Sequence, residues 1–450
     1  MEPIVVIGAG LAGCEAAWQI AKRGGKVILC EMKPEVYSPA HRSPLFAELV
    51  CSNSFKSESI ENASGVLKEE MALMGSLILE VAKEAKVPAG ESLAVDRTVF
   101  SEKITQTLQN LENVKVIRRE VSSIPQDGIT IIATGPLTSE RLSKEIQKVT
   151  GSRHLFFYDA ISPIVTSDSI DYQRAFRSSR YGKGGEDYVN CPMDEEAYGR
   201  FVDALNRAER ALVHPFEKKY FFEGCLPVEE MAERGRETLA YGPMKPVGLI
   251  DPKTGRQPFA VVQLRQEDRF ERLFNLVGFQ TRLKHEDQKR VFRMIPGLEK
   301  AEFVRLGSMH LNTFINSPRL LSESLQLKTH PSLFFAGQIT GVEGYMESTA
   351  IGLLSGINTH RYANGLPSLV PPPTTAMGAL VDYITHSNAV PFQPMNINFG
   401  LFPPLSGKSR GKGKRLLLAR RALREMEEWK RKGEPLDGPA EKPGLARCSS

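Results

Sequence analysis

Ile4-Val5-Val6-Ile7-Gly8-Ala9-Gly10-Leu11-Ala12-Gly13-Cys14-Glu15-Ala16-Ala17-Trp18-Gln19-Ile20-Ala21 is the stretch that decides the fold. Four β-branched residues without polar alternation predict a buried parallel strand. The strand ends at Gly8, and a helical pattern follows through Glu15 to Ala21. A second strand, Lys26 to Cys30, closes on Glu31, making a βαβ unit of about 30 residues. Gly8-Ala9-Gly10-Leu11-Ala12-Gly13 is a GxGxxG between that strand and helix. Its glycines permit a tight turn and let backbone N–H groups approach a pyrophosphate at the helix N-terminus. Glu31 lies about 20 residues past the last glycine, where the motif needs a carboxylate for a ribose hydroxyl. The motif alone is a weak signal, and a glycine turn without ligand is its alternative. Strand, helix and Glu31 together predict a dinucleotide-binding domain.

Two distant segments narrow the dinucleotide to FAD. Ile131-Ile132-Ala133-Thr134-Gly135 is a strand running into ATG, as in two-dinucleotide-binding flavoproteins. Leu333 to Gly344 (LFFAGQITGVEG) is a second buried strand running into glycine, followed by a helix through Ala350 to Ile357. Gly337 and Gln338 in its turn are expected to face the flavin. The fold class expected is α/β: a Rossmann-type FAD-binding domain carrying an inserted α+β domain. Residues 1–154 and 326–432 form the two parts of the FAD domain. Residues 155–325, richer in charge and aromatics and with a hairpin-like run Phe259 to Leu264, form the insert. Further helices are expected over Val66 to Lys86, Ser101 to Asn110 and Lys414 to Lys432. Pro367 to Thr375 reads as a rigid spacer, and 433–450 as a disordered tail.

At 450 residues the chain is long enough for two or three domains. Its 41% hydrophobic and 25% charged residues exclude a disordered, collagenous or disulfide-scaffold protein. No run approaches the roughly 18 to 20 apolar residues of a membrane span. Met1-Glu2-Pro3 leads straight into the first strand without a signal-like segment, so the expected compartment is the cytoplasm. The six cysteines (14, 30, 51, 191, 225 and 448) show no CxxC or other metal-ligand spacing, and no metal is expected. From Lys408 to Lys432 eleven Lys or Arg face three Glu, a local +8 against the chain's +5, leaving −3 elsewhere. Such a basic segment suits a polyanionic partner, with a solvated helix face as the alternative.

Over nearly its full length the chain resembles the folate- and FAD-dependent tRNA (uracil-5-)-methyltransferases, the TrmFO family. The resemblance is carried by VIGAGLAGCEAAWQIAKRG at Val6, FAELVCSNSFKS at Phe46, MHLNTFINSPRLL at Met309, FFAGQITGVEGYMESTAIGLLSGIN at Phe334 and NINFGLFPPL at Asn396. Part of the Phe334 segment is shared with a longer cousin, the wobble-uridine-modifying flavoprotein that works with a GTPase. The Cys51 segment and the shorter chain favour the methyltransferase. A non-catalytic flavin-binding RNA chaperone is the alternative of another class.

The resemblance implies that 5,10-methylenetetrahydrofolate supplies carbon to C5 of the T-loop uridine, position 54, of tRNA. FAD would supply electrons and NADPH or NADH would reload it. The T-arm of tRNA and folate are the partners implied; no membrane and no obligate protein partner is expected. The family's two functional cysteines match Cys51 and Cys225. Uracil C5 is a poor nucleophile until a thiolate adds at C6, and a second group must then remove the C5 proton. The sequence leaves open which cysteine does which; the reading carried forward makes Cys225 the nucleophile and Cys51 the base. Cys14 and Cys30 read as core thiols, and Cys191 stays undecided. His310 is implied to stack on the folate pterin, with a hydrogen-bonded structural role as its alternative. Arg97 is a candidate for a folate carboxylate or phosphate, with a structural salt bridge as its alternative.

Overall fold

A computed structural model of the chain describes residues 2–211, 225–405 and 411–433. Lys218 and Lys219, the lysines nearest Cys225, Lys408 and Arg410 of the basic segment, and the expected tail with Cys448 lie outside them.

The opening strand Ile4–Ile7 sits inside a six-stranded sheet ordered Gln326–Leu327, His330–Phe335, Thr130–Ile132, Ile4–Ile7, Val27–Glu31, Val114–Arg118. Its four long-range pairings are parallel, and only the hairpin Gln326–Leu327 with His330–Phe335 runs antiparallel. Strand ends from three remote parts of the sequence, at Ile7, Ile132 and Phe335, are thereby brought side by side. The helix Leu11–Ala21 packs along the helix Tyr345–Ala363. A Cβ at Gly352 would stand 2.3 Å from the Ala12 carbonyl oxygen, and one at Gly356 2.7 Å from that of Ala16. Two glycines one helical turn apart thus allow backbones to touch where side chains would hold them apart.

A second six-stranded sheet, wholly antiparallel, comes from residues 164–305. Its order is Phe176–Arg177, Tyr188–Met193, Ala260–Gln266, Leu273–Leu276, Ile164–Thr166, Phe303–Arg305. It has its own core, including Phe201, Phe274, Phe279 and Phe292. The chain enters this region along Leu155–Ala160 and leaves along Met309–Phe314, and these two strands pair antiparallel as a ribbon.

Three elements differ from expectation. The single helix expected over Val66 to Lys86 is two, Ala63–Leu73 and Leu77–Glu84. Gly75 adopts φ +65°, and Ser76 caps the second helix by accepting from Leu79 N. The helix expected from Ser101 starts at Arg97 because Asp96 Oδ1 accepts from Thr98 N and Val99 N, both at 3.1 Å. The basic helix runs Gly411–Gly433 and belongs to the globule, burying Leu418, Ala419, Ala422 and Met426 in the main core.

Candidate active site

The glycine motif lines a cleft together with Glu31, Ala133 to Ser139, Gln338 and Tyr345. Its glycines have separate tasks. Gly8, at φ +100°, lies so close to Ala133 that a Cβ would meet that carbonyl oxygen at 2.7 Å. A Cβ at Gly13 would stand 1.8 Å from the Gly8 oxygen, so Gly13 serves the contact between helix and strand. At Gly10 a Cβ would meet nothing within 4 Å; this position opens onto the cleft. Ala9, Leu11, Ala12, Glu31 and Gln338 also line it. Glu31 accepts from Ala9 N on one oxygen and from Lys33 N on the other, both at 3.0 Å, which fixes its carboxylate at the cleft wall. Each oxygen keeps a lone pair for a further donor. Gly337, at φ +81°, would clash with the Ala12 side chain if it carried a Cβ, and so lets the distal strand close on the motif helix. The residues present fit a dinucleotide: open space at the helix N-terminus, a carboxylate at the second strand end, and Thr134, Gly135 and Gln338 opposite.

Several lining residues were not singled out from sequence. Lys33, only 3% exposed, donates to Leu45 O at 2.7 Å and pairs with Glu48 at 3.2 Å. Tyr345 opens the distal helix and reaches beyond the cleft to the loop that carries Cys51. Its hydroxyl accepts from Cys51 N at 2.9 Å and Ser52 N at 3.2 Å.

The Cys51 loop is held by three guanidinium groups. Arg97 donates to Leu49 O, to Cys51 O at 3.3 Å and to both oxygens of Glu267. Arg305 donates to Val50 O at 2.6 Å. Arg265 donates to Ser52 Oγ at 2.7 Å and Asn53 Oδ1 at 2.9 Å. Burial works against the Arg97 charge, but the adjoining Glu267 more than offsets it, and the guanidinium stays cationic. With most of its N–H groups engaged this way, Arg97 follows the salt-bridge alternative in geometry, and its visible task is to shape the loop around Cys51.

Cys225 lies three residues before helix Val228–Glu233, and its thiol neighbours that of Cys51. The two half-buried thiols, far apart in sequence, share one site. The Cys225 thiol is held well above the usual range by its hydrogen bond to Cys51, by burial and by the nearby Asp159 carboxylate. Cys14, Cys30 and Cys191 are buried core residues. Burial pushes the thiols of all three up.

His310 lies on the ribbon strand Met309–Phe314, directly opposite Asp159, with Nε2 3.0 Å from Ser308 Oγ. Burial, reinforced by Arg305, His41 and Arg42, lowers its pKa to about 4, so the ring is neutral near pH 7. Among the described residues no cluster of three His, Cys, Asp or Glu could hold a metal ion, and no helix is long and apolar enough to cross a membrane.

The family model for Glucose inhibited division protein A matches residues 3–367. A chain of Geotalea uraniireducens (strain Rf4) named methylenetetrahydrofolate--tRNA-(uracil-5-)-methyltransferase TrmFO is 61% identical over 429 residues, covering 95% of this chain and 98% of its own. One of the same name from Moorella thermoacetica is 56% identical over 434 residues, covering 96% and 99%. The solved structure of Aquifex aeolicus GidA is similar at a TM-score of 0.69 with 16% identity, over 96% of this chain and 73% of that one; this likeness shows the fold.

Proposed function

Since the chain belongs to the TrmFO family, we propose that it methylates C5 of the T-loop uridine, position 54, of tRNA with carbon from 5,10-methylenetetrahydrofolate. The observation that carries the reading is the meeting of Cys51 and Cys225 beside the dinucleotide cleft. A dinucleotide cleft alone fits many redox enzymes. Two neighbouring thiols next to it fit a reaction that needs both a nucleophile and a proton acceptor at one base.

In this reading Cys225 adds to uracil C6, raising electron density at C5, and Cys51 removes the C5 proton once the new carbon bond has formed. Tyr345 and Arg97 fix the Cys51 backbone, and Arg265 and Arg305 hold the residues flanking it, so the thiol needs little reorganisation to meet its substrate. His310, neutral and half-buried, offers a flat ring on which the folate pterin stacks. Gly10, Glu31, Thr134 and Gln338 would hold FAD, with NADPH or NADH as its reductant. When bound, FAD supplies the two electrons that a carbon at the formaldehyde level needs to become methyl. The exposed Lys and Arg side chains of helix Gly411–Gly433 would contact phosphates of the T-arm.

A tRNA containing 5-fluorouracil tests the assignment, because fluorine at C5 blocks proton removal and preserves the C6 thioether. Cys225→Ala should form no covalent adduct, while Cys51→Ala should still form one. Both should lose methylation and keep the flavin spectrum. If both variants methylate ordinary tRNA at the parental rate, the proposed chemistry is wrong.

A further inference from the structure

Asp159 is an acidic group that the chemistry above leaves without a task. It lies on strand Leu155–Ala160, one residue before Ala160, whose carbonyl oxygen faces the Cys51 sulfur at 3.8 Å. Its Oδ2 has a long contact of 3.5 Å from Asn312 Nδ2. Its Oδ1 is shielded from solvent and makes no hydrogen bond of ordinary geometry among the described residues. A carboxylate oxygen kept dry and unsatisfied is costly and marks a place where a proton or ligand is accepted at some stage. The group it faces is the Cys225 thiol, close enough to stabilise the carboxylate form of Asp159.

The charges around this pair restrict what can ionise. Cys225 approaches from the segment before helix Val228–Glu233, Cys51 from its loop, and His310 from the opposite strand. Glu343, 7% exposed, approaches from the segment leading into helix Tyr345–Ala363 and accepts from Gln338 Nε2 at 2.5 Å. Lys56 and Glu347, paired with each other at 2.8 Å, stand beyond Glu343. Ionising Cys225 by losing its proton to water would add a negative charge beside Asp159. Passing the proton to Asp159 moves a charge instead of adding one.

We propose that Asp159 is the general base that accepts the Cys225 thiol proton as sulfur adds to uracil C6. The proposal rests on Cys225 being the nucleophile. The proton passes from sulfur to the Asp159 carboxylate, the sulfur electron pair forms the S–C6 bond, and the C5–C6 π pair moves toward C5 and the C4 oxygen. When the S–C6 bond breaks at the end, sulfur recovers its pair and the proton returns from Asp159. Burial raises Asp159 to about 6, so it is mostly a carboxylate near pH 7 and free to accept a proton as the S–C6 bond forms. Burial, with help from Asp159, raises Glu343 to about 8, so this neighbour is mostly neutral and does not oppose it.

The test is the rate of covalent adduct formation between the FAD-loaded full chain and 5-fluorouracil tRNA, followed against pH. The parent should gain rate as pH rises through about 6, where Asp159 loses its proton. Asp159→Asn should lose that acidic limb and slow by a factor on the order of 10² to 10⁴, with flavin spectrum and tRNA affinity kept. Asp159→Glu, which keeps an acid, should retain the limb at reduced rate; this variant decides the matter if Asp159→Asn does not load flavin. A parental rate with an intact acidic limb in Asp159→Asn, or no limb in Asp159→Glu, would overturn the proposal. An adduct that persists in Cys225→Ala would instead remove the assignment on which it rests.

Discussion

Gly10 and Gly13 belong to one motif but face opposite ways, and substitution should separate them. Gly10 has φ −75° and open space before it, so Gly10→Val should fold with little loss of stability yet lose FAD, because its side chain enters the cleft. Gly13→Val drives atoms into the Gly8 carbonyl and should lower the melting temperature as well. Calorimetry together with the flavin absorbance distinguishes the two; equal melting losses in both variants would refute this division of labour. Arg97 illustrates a second lesson at this scale. Its side chain is 18% exposed and that of Glu267 4%, so Arg97→Ala strands a buried carboxylate, at a cost of roughly 3–5 kcal/mol. Chemical denaturation should show that loss, and methylation should fall with it because the Cys51 loop loses its brace; unchanged stability would mean that the pair is dispensable. The glycines and cysteines were legible in the sequence because each sits in a short motif. Tyr345, Arg265, Arg305 and Asp159 were not. Tyr345, Arg265 and Arg305 reach the Cys51 loop across more than 200 positions of chain, and Asp159 reaches Cys225 from another element, which periodicity and spacing do not encode.

Among the elements, the strand–turn–helix units were legible from short apolar runs without polar alternation, as at Ile4 to Ile7, Ile131 to Ala133 and Leu333 to Ala336, each leading into a glycine turn. Helix ends were less so. Ser76 and Asp96 act as caps through side-chain hydrogen bonds that the apolar pattern alone does not reveal. The basic helix Gly411–Gly433 was legible as a helix by composition, but its seat in the core was not. This matters for testing its charges. Removing it would expose Leu418, Ala419, Ala422 and Met426 as well as remove cations, so a truncation mixes two effects. Converting the exposed Lys414, Arg415, Arg420 and Arg424 to Gln leaves that packing in place. If these cations touch phosphates, the slope of log K against log salt for tRNA should shallow by about 0.7 to 0.9 for each phosphate left unneutralised, with flavin retained. An unchanged slope would make this face merely solvated.

At the level of the whole molecule, the parallel sheet builds a dinucleotide cleft, and the antiparallel region, attached through the ribbon Leu155–Ala160 with Met309–Phe314, supplies Arg265, Arg305 and Cys225 to its edge. The thiol pair therefore exists only when both sheets are in place, and in the proposed reaction redox and nucleophilic chemistry meet at their junction. The central claim is that the methyl carbon comes from folate and that reducing equivalents complete it. The most direct measurement gives the FAD-loaded chain unmodified tRNA, 5,10-methylenetetrahydrofolate labelled in its methylene carbon, and NADPH or NADH. After digestion of the tRNA, label should appear in the 5-methyl group of the T-loop nucleoside, depend on the reductant, and be unaffected by S-adenosylmethionine. Label at a wobble position, no label at all, or a methyl group that derives from S-adenosylmethionine would contradict it.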